Sequence, residues 1–149
     1  MYRVLVAVDE NEQQASDLAT TVERLAGEIN DLEVLVLHVF RDVDLPSQVV
    51  VYEPLGDFQE EHHQQREIPA AVTNVADRLT ERGIDAEIRI ERSENPATTI
   101  NSIAVDHNVD NILIGGRKQS PIGKVLFGST TQAVLLNSDI PVTVAGTLN

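Results

Sequence analysis

The sequence predicts an α/β fold in which an open, doubly wound, five-stranded parallel sheet carries helices on both faces. Short apolar runs alternate along the chain with segments whose apolar residues recur every three to four positions. The first pattern is typical of strands and the second of amphipathic helices. Most of the runs are almost continuously apolar, as expected for strands that are covered on both faces. Together these patterns favour a parallel sheet, because strands that alternate with helices form βαβ units.

The elements follow in the order βαβαβαβαβ. The five predicted strands are Tyr2–Val8, Glu33–Val39, Asp85–Glu91, Asn111–Ile114 and Ile140–Ala145. The four predicted helices carry their apolar faces over Ala15–Ile29, Ile68–Leu79, Ala97–His107 and the segment that begins near Ser129. A polar loop, Arg41–Asp57, follows the second strand. At this length we expect one domain, residues 1–149, since single cores usually span roughly 100–200 residues.

Several residues mark where these helices should begin and end. Pro69 is expected to open or kink the second helix, and Gly83 to end it. Asn95 followed by Pro96 is a cap and a first-turn proline for the third helix. The segment Ser129–Gln132 has the pattern of a capping box, which predicts Ser129 as the cap of the last helix.

Composition excludes several classes of function. The chain has 24 Asp or Glu against 11 Lys or Arg, a formal net charge of −13, which argues against nucleic-acid or anionic-membrane partners. It has no cysteine, so thiolate zinc sites, disulfide frameworks and cysteine nucleophiles are excluded. No window is apolar enough to cross a membrane, and no export signal precedes the first strand, so we expect a cytoplasmic location.

The acidity itself suggests a salt-rich, halophilic cytoplasm. Only Lys118 and Lys124 are lysines, against nine arginines, and aromatic residues are 3% of the chain. High salt screens the self-repulsion of so charged a surface. The alternative is an ordinary acidic protein from a low-salt organism.

One stretch departs from this acidity. The 28 residues Asn111–Ser138 contain Arg117, Lys118 and Lys124 and no Asp or Glu, a charge of +3, whereas the remaining residues sum to −16. Its centre, Gly115–Thr131, is rich in glycine and hydroxyl side chains. Glycines allow close approach of the backbone to an anion, and a helix start nearby supplies free N–H groups. We therefore expect a phosphate-type anion here, at the carboxyl edge of the sheet.

Two common phosphate motifs do not fit. A Walker A loop needs Gly, four residues and Gly-Lys-Ser/Thr, but Gly123-Lys124 is followed by Val125. A dinucleotide-binding glycine motif belongs after the first strand, where Asp9–Glu12 contains no glycine. The chain is therefore neither a P-loop NTPase nor a Rossmann dehydrogenase.

The chain resembles a single-domain universal stress protein over essentially its whole length. The residues that carry the resemblance are Val6–Asp9, Leu37–Val39, Ile114–Arg117, Gly128–Ser129 and the strand Ile140–Val144. The nucleotide-binding branch of that family has Gly, two residues, Gly, nine residues, then Gly-Ser/Thr. Gly115 matches the first glycine and Gly128-Ser129 the last pair, whereas Lys118 stands at the middle glycine.

This resemblance implies an adenine nucleotide, ATP or else AMP or ADP, at the carboxyl ends of strands 1, 2 and 4. Ribose and adenine would contact Ala7, Val8 and Asp9, with Val39 against the adenine. The residues around the phosphates would be Gly115, Gly116, Arg117, Lys118, Gly128, Ser129 and Thr130. Asp9 would reach Mg²⁺ bound to those phosphates, an ion that takes one or two carboxylates plus phosphate oxygens. The family also implies a homodimer through Ile140–Ala145, whose apolar free edge invites a partner.

Each of these residues also has a purely structural interpretation. Asp9 is a candidate cap of the first helix, and Ser129 of the last. Arg117 and Lys124 are also typical of solvated loops. Adjacent histidines His62 and His63 cannot share one metal on a helix, because neighbouring helical positions point about 100° apart. His38 is interpreted as a hydrogen-bonded, partly buried histidine.

Three functional hypotheses follow. The first is an ATP-binding regulatory protein with little or slow hydrolysis, because no positioned general base or arginine finger is evident. The second is a nucleotide-free dimeric scaffold protein of the same fold, supported by Lys118 at the middle-glycine position. The third, a hydrolase or transferase using the same pocket, has the least support.

Overall fold

The computed structural model of the chain describes residues 1–41, 68–116 and 127–145. Its strands are β1 (Tyr2–Ala7), β2 (Leu32–Arg41), β3 (Asp85–Ser93), β4 (Asn111–Gly115) and β5 (Val142–Ala145). Its helices are α1 (Glu12–Glu28), α2 (Ala70–Glu81), α3 (Pro96–Asp106) and α4 (Ser129–Asn137). The strands form one parallel sheet in the order β3-β2-β1-β4-β5. The predicted fold class is confirmed.

The central strand β1 supplies side chains to both faces of the sheet. Val4 and Val6 lie in the core shared with α1 and α2, whereas Leu5 lies in the core shared with α3 and α4. All three are fully buried. This explains the unbroken apolar run in the sequence, because alternate residues of a strand point to opposite faces. Full burial of each such side chain stabilises the fold by roughly 1.5–3 kcal/mol.

The strands end at different heights along the carboxyl edge. β1 ends at Ala7, while β2 and β3 stay paired as far as Arg41 and Ser93, beyond the predicted ends. β2 and its neighbour β3 therefore extend past the end of β1. The last strand begins at Val142 rather than at the predicted Ile140, because the Ile140 N–H donates to Ser138 Oγ at 3.0 Å.

The predicted helix boundaries of α2 and α3 are confirmed. Pro69 is the N-cap of α2, so it opens that helix. Gly83 follows the end of α2 with a φ of +79°, a conformation that favours glycine, and its N–H donates to Thr80 C=O at 2.9 Å. Asn95 caps α3 by accepting a bond from Thr98 N–H, and His107 is its C-cap. The loop expected after Arg41 and the pair His62-His63 lie outside the described residues.

Across the ranges that the structure describes, each helix is too short or too polar to span a bilayer.

Candidate functional site

A cleft of about 690 Å³ opens at the carboxyl edge of the sheet, where the strand order reverses between β1 and β4. This is the place where open parallel sheets bind ligands, because chains leaving β1 and β4 go to opposite faces. The described residues that line it come from three strand ends and three helices. They are Ala7, Val8, Asp9, Glu10, Asn11, Gln14, Leu18, Leu37, His38, Val39, Phe40, Arg41, Pro96, Ile100, Ile114, Gly115, Thr130 and Thr131.

Most of the site residues expected from the sequence lie at this edge. Six of them line the cleft: Ala7, Val8, Asp9, Val39, Gly115 and Thr130. Gly116 directly follows β4, and Gly128 and Ser129 form the start of α4, but none of these three lines the cleft. Arg117, Lys118 and Lys124 lie outside the described residues.

The turn after β1 is built by two successive side-chain caps. Asp9 Oδ1 accepts a bond from Asn11 N–H at 2.8 Å, and Asn11 Oδ1 accepts one from Gln14 N–H at 2.9 Å. The N-cap of α1 is therefore Asn11, and the prediction that Asp9 caps this helix is wrong. Asp and Asn both favour N-caps, so residue type alone does not distinguish Asp9 from Asn11. Asp9 instead shapes the preceding turn and stays exposed at the cleft.

The end of β4 is held by side chains from two helices. Gln14 on α1 donates from Nε2 to Gly116 C=O at 2.7 Å, and Thr131 on α4 donates from Oγ1 to Gly115 C=O at 2.9 Å. A Cβ at Gly115 would lie 2.5 Å from Gln14 Oε1, so a side chain there would displace the Gln14 amide. These contacts fix the point at which the chain enters the segment 117–126.

The first turn of α4 is left without a side-chain cap. Its N-cap is Gly128, with φ −65° and ψ 163°, and no side-chain cap hydrogen bond forms there. The prediction that Ser129 caps the helix is wrong, since Ser129 is already its first helical residue. The first helical bond runs from Gln132 N–H to Gly128 C=O, so the N–H groups of Ser129, Thr130 and Thr131 precede it.

The other two helices that line the cleft differ in this respect. Asn11 caps α1 and Asn95 caps α3 with a side-chain oxygen. Only α4, among the three helices that contribute described cleft residues, presents its first N–H groups with no such oxygen on them. Helix N-termini of this kind bind anions, because free N–H donors and the positive end of the helix dipole coincide.

His38 forms the buried base of the cleft beside β1. It is 5% exposed, and its Nδ1 lies 2.7 Å from Val8 C=O. Its ring packs edge-to-face on Phe40, with the ring centroids 4.5 Å apart. The interpretation of His38 as a hydrogen-bonded histidine is confirmed, and it is more deeply buried than expected.

The charges that line the described part of the cleft are of both signs. Asp9 and Glu10 follow β1, whereas Arg41 ends β2. Across the described ranges, no group of three or more His, Asp or Glu side chains could hold a metal by itself. A cation at Asp9 would therefore need further ligands from a bound molecule, as Mg²⁺ takes from phosphates.

Sequence reasoning did not identify Gln14 as part of the site, and it included Thr131 only as one hydroxyl residue of the expected anion site. Gln14 occupies an ordinary polar position of an amphipathic helix, and Thr131 belongs to the supposed capping box. Gln14 reaches the backbone of a residue 102 positions away, and no local pattern distinguishes such a side chain. The only available signal was the glycine pair at the end of β4, which indicates a close approach by some other element.

Comparisons with known proteins agree with this fold. The sequence model described as the universal stress protein family matches residues 1–146. A curated universal stress protein from Mycolicibacterium smegmatis is 29% identical over 150 residues; the match covers 96% of this chain and 47% of that protein. The chain thus spans about half the length of this curated relative.

Solved structures are also similar. A universal stress protein from Archaeoglobus fulgidus superposes with a TM-score of 0.72 at 23% identity, covering 97% of this chain and 98% of that one. The structure of an A. fulgidus universal stress protein in complex with dAMP superposes with a TM-score of 0.65 at 16% identity, over 97% and 98% of the two chains.

Proposed function

The chain belongs to the universal stress protein family, and we propose that it is an ATP-binding regulatory protein of the stress response with little or slow hydrolysis. AMP or ADP are the other candidate adenine nucleotides. The observation that carries the proposal is the uncapped start of α4 at the cleft. A relative of the same fold is known in complex with dAMP, which supports a nucleotide as the ligand class.

In the proposed complex the phosphates lie at the start of α4. The N–H groups of Ser129, Thr130 and Thr131 are the donors, and the absence of a side chain at Gly128 leaves room for phosphate oxygens. The backbone of Gly115, which lines the cleft, is proposed as the opposite wall, with Gly116 directly after it. Arg117 and Lys118 are proposed to add positive charge to the same phosphates, as the acid-free stretch of the sequence suggests.

The base and ribose are proposed to lie at the ends of β1 and β2. The alternating direction of backbone groups along a strand supports Val39 as the base contact. Leu37 C=O accepts from Val8 N–H, so the backbone groups of Leu37 point to β1, and those of Val39, two residues on, point the same way. Because β1 ends at Ala7, the Val39 N–H and C=O face the cleft rather than another strand. Ala7, Val8 and Asp9 would contact the ribose and the base from the other side.

Asp9 is proposed to share Mg²⁺ with the phosphates. Two carboxylates, those of Asp9 and Glu10, stand at the mouth of the cleft and would repel free ATP. A divalent cation between Asp9 and the phosphates removes this repulsion, and Mg²⁺ accepts such a mixed ligand set. We therefore expect the Mg²⁺ complex of ATP to bind more tightly than ATP alone.

Slow hydrolysis is proposed because efficient phosphoryl transfer needs a residue that orients water and a cation on the transferred group. Among the described cleft residues, His38 already contacts the Val8 backbone, and Arg41 lies at the end of β2 rather than at α4. The test is single-turnover hydrolysis of bound ATP. Retention of intact ATP over minutes supports a binding protein, whereas turnover faster than about one per second would make it an enzyme.

The decisive test of the proposed function is direct. Nucleotide released from the denatured, purified protein is identified by mass, and Mg-ATP, AMP and adenosine are titrated calorimetrically in molar KCl. We expect ATP to bind more tightly than adenosine, because only ATP reaches the α4 terminus. Failure to detect binding of any of the three would overturn the proposal and favour the nucleotide-free scaffold, with Lys118 as its basis. In that case Lys118→Gly should create binding.

We also propose a cytoplasmic homodimer that pairs through β5 (Val142–Ala145). The ladder bond from Gly116 N–H to Ala145 C=O shows that Ala145 points to β4, so Val144 points its N–H to the free edge. Val144→Pro removes this outward donor and should convert a dimer to monomer in sedimentation equilibrium. Thr143→Ser, which keeps the hydroxyl that bonds with Asn111 and changes no edge donor, is the matched control. A dimer that persists in Val144→Pro would contradict pairing through this edge.

A further inference from the structure

His38 makes a hydrogen bond that replaces a rung of the sheet. Its Nδ1 lies 2.7 Å from Val8 C=O, and a carbonyl oxygen can only accept, so Nδ1 carries the hydrogen. In a continued parallel ladder this carbonyl would accept from Val39 N–H, because Val8 N–H already donates to Leu37 C=O at 2.9 Å. The imidazole therefore lies where the backbone of Val39 would otherwise be paired.

Packing and burial hold the ring in this place. Phe40 packs against it edge-to-face, at an interplanar angle of 88°. The ring is 5% exposed, so water is a poor substitute for either the imidazole or the Val8 carbonyl. Val8, itself 3% exposed, is thereby held through both its N–H and its C=O immediately before the Asp9 turn.

We propose that His38 is a positioning residue for the ligand of the cleft, an inference that rests on the proposed function. By satisfying the Val8 carbonyl from its side chain, His38 lets β1 stop at Ala7 while β2 continues to Arg41. The N–H and C=O of Val39 then remain available to the edge of a planar, hydrogen-bonding base. His38 acts on the base end of the ligand and makes no contribution to the phosphate end at α4.

Matched variants separate this role from simple packing. Asn carries an amide N–H near the position of Nδ1, whereas Gln carries its amide near that of Nε2. Adenosine and Mg-ATP are titrated into wild type, His38→Asn, His38→Gln and His38→Phe, with thermal unfolding of each variant measured in parallel. We expect His38→Asn to bind within about threefold of wild type and His38→Gln and His38→Phe to lose about tenfold, the value of one hydrogen bond.

The ligand pattern distinguishes positioning from destabilisation. The loss should be the same for adenosine and for Mg-ATP, because both carry the base and only one carries phosphates. A loss confined to Mg-ATP, wild-type binding by folded His38→Gln or His38→Phe, or equal loss in His38→Asn and His38→Gln would each overturn the inference. If the wild type binds neither ligand, the result contradicts the proposed function, on which the role of His38 rests.

The tautomer supplies a readout that needs no variant and no ligand. Long-range ¹H–¹⁵N spectra of the wild-type protein report which ring nitrogen of His38 carries hydrogen. We expect Nδ1 to carry hydrogen, as its bond to Val8 C=O requires. A ring protonated only at Nε2 would overturn the inference, since such a ring cannot donate to Val8 C=O.

Discussion

Two polar regions of this molecule treat their hydrogen-bonding groups in opposite ways. On the outer face of α1 and α2, Arg78 donates to both carboxylate oxygens of Glu23, at 2.8 and 2.9 Å, and to Thr20 Oγ1 at 2.8 Å. Arg82 adds a second contact to Glu23 at 2.9 Å. At the start of α4, by contrast, the N-cap Gly128 contributes no side-chain acceptor to the first backbone N–H groups. The first region uses its polar groups within the fold, and the second presents them to the cleft.

The difference between these two regions shows that some polar groups stabilise the fold whereas others remain available to a ligand. A donor that already has a partner inside the protein contributes to the free energy of unfolding and offers little to a ligand. Free N–H groups at a helix start lower the free energy of unfolding, and an anion that binds to them raises it again. Changes in the Glu23 region should therefore alter stability and leave binding unchanged, whereas changes at α4 should alter binding more than stability.

The largest expected effect comes from adding a side-chain cap to the start of α4. Gly128→Asp places a capping carboxylate on the α4 N–H groups, and the backbone at φ −65° accepts any side chain. Mg-ATP affinity should fall about 100-fold, since two or more charge-assisted hydrogen bonds to phosphate are lost. Adenosine affinity should stay unchanged and the unfolding temperature should not fall. Calorimetric titration and thermal unfolding measure both quantities.

Gly27→Asp is the control for this change. It adds the same charge near the far end of α1, where a side chain meets no atom within 4 Å. Its Mg-ATP affinity should match wild type. Equal loss in both variants would mean that net charge, rather than the α4 terminus, governs binding.

Removing the charge of Glu23 should have the next largest effect. Glu23→Gln keeps the shape of the side chain but removes the charge that Arg78 and Arg82 contact. The unfolding free energy should fall by about 2 kcal/mol at pH 7, the value of hydrogen bonds to a charged group, with Mg-ATP affinity unchanged. Urea unfolding measures the first and titration the second. A changed nucleotide affinity would break the proposed separation of the two regions.

The same pair makes a pH prediction. Hydrogen bonds from Arg78 hold the pKa of the Glu23 carboxyl below its ordinary value, and the charges of Arg78 and Arg82 act in the same direction. Because the folded-state pKa is lower than that of the unfolded chain, the stabilisation is complete above the unfolded pKa. It is lost as the pH falls through the folded pKa. The stability difference between wild type and Glu23→Gln should therefore be constant near neutrality and vanish in acid.

A smaller effect is expected at the acidic side of the cleft. Asp9→Asn keeps an oxygen to accept from Asn11 N–H, so the turn should persist, but it removes the proposed Mg²⁺ ligand. The gain in ATP affinity on adding Mg²⁺ should shrink about tenfold, the value of one charged contact. Titrations with and without EDTA test this. An undiminished Mg²⁺ effect would exclude Asp9 as the ligand.

The smallest effect concerns the junction between α1 and β4. Gly115→Ala brings a Cβ against Gln14 Oε1 and should disturb the bond from Gln14 to Gly116, at a cost of about 1 kcal/mol in unfolding free energy. In a Gln14→Ala background the same change should cost less, because the atom it meets is gone. Urea unfolding of the four proteins gives the coupling. Additive costs would show that Gly115 is required for another reason.

The sequence predicted the sheet better than the polar contacts at its edge. Unbroken apolar runs such as Val4–Val8 depend on strong, local regularities, so the strand and helix order followed directly. The N-caps of α1 and α4 did not, because Asp9 and Asn11 are both cap-forming residue types near one helix start and Ser129 resembles a cap in sequence alone. Gln14, His38 and Thr131 act through contacts distant along the chain, which no local pattern encodes. The proposed salt-rich cytoplasm remains a prediction.

The strand order has a consequence for the folding of this chain. β1 lies at the centre of the sheet, and Val4 pairs with Val34 on one side and with Asn111 on the other. The β1–β2 pairing is comparatively local, whereas the β1–β4 pairing must close a far longer loop, so it is expected late. Until then the apolar edge of β1 is open to other chains. The arrangement that creates the cleft thus leaves the middle of the sheet incomplete for longest, and refolding yields should fall as protein concentration rises.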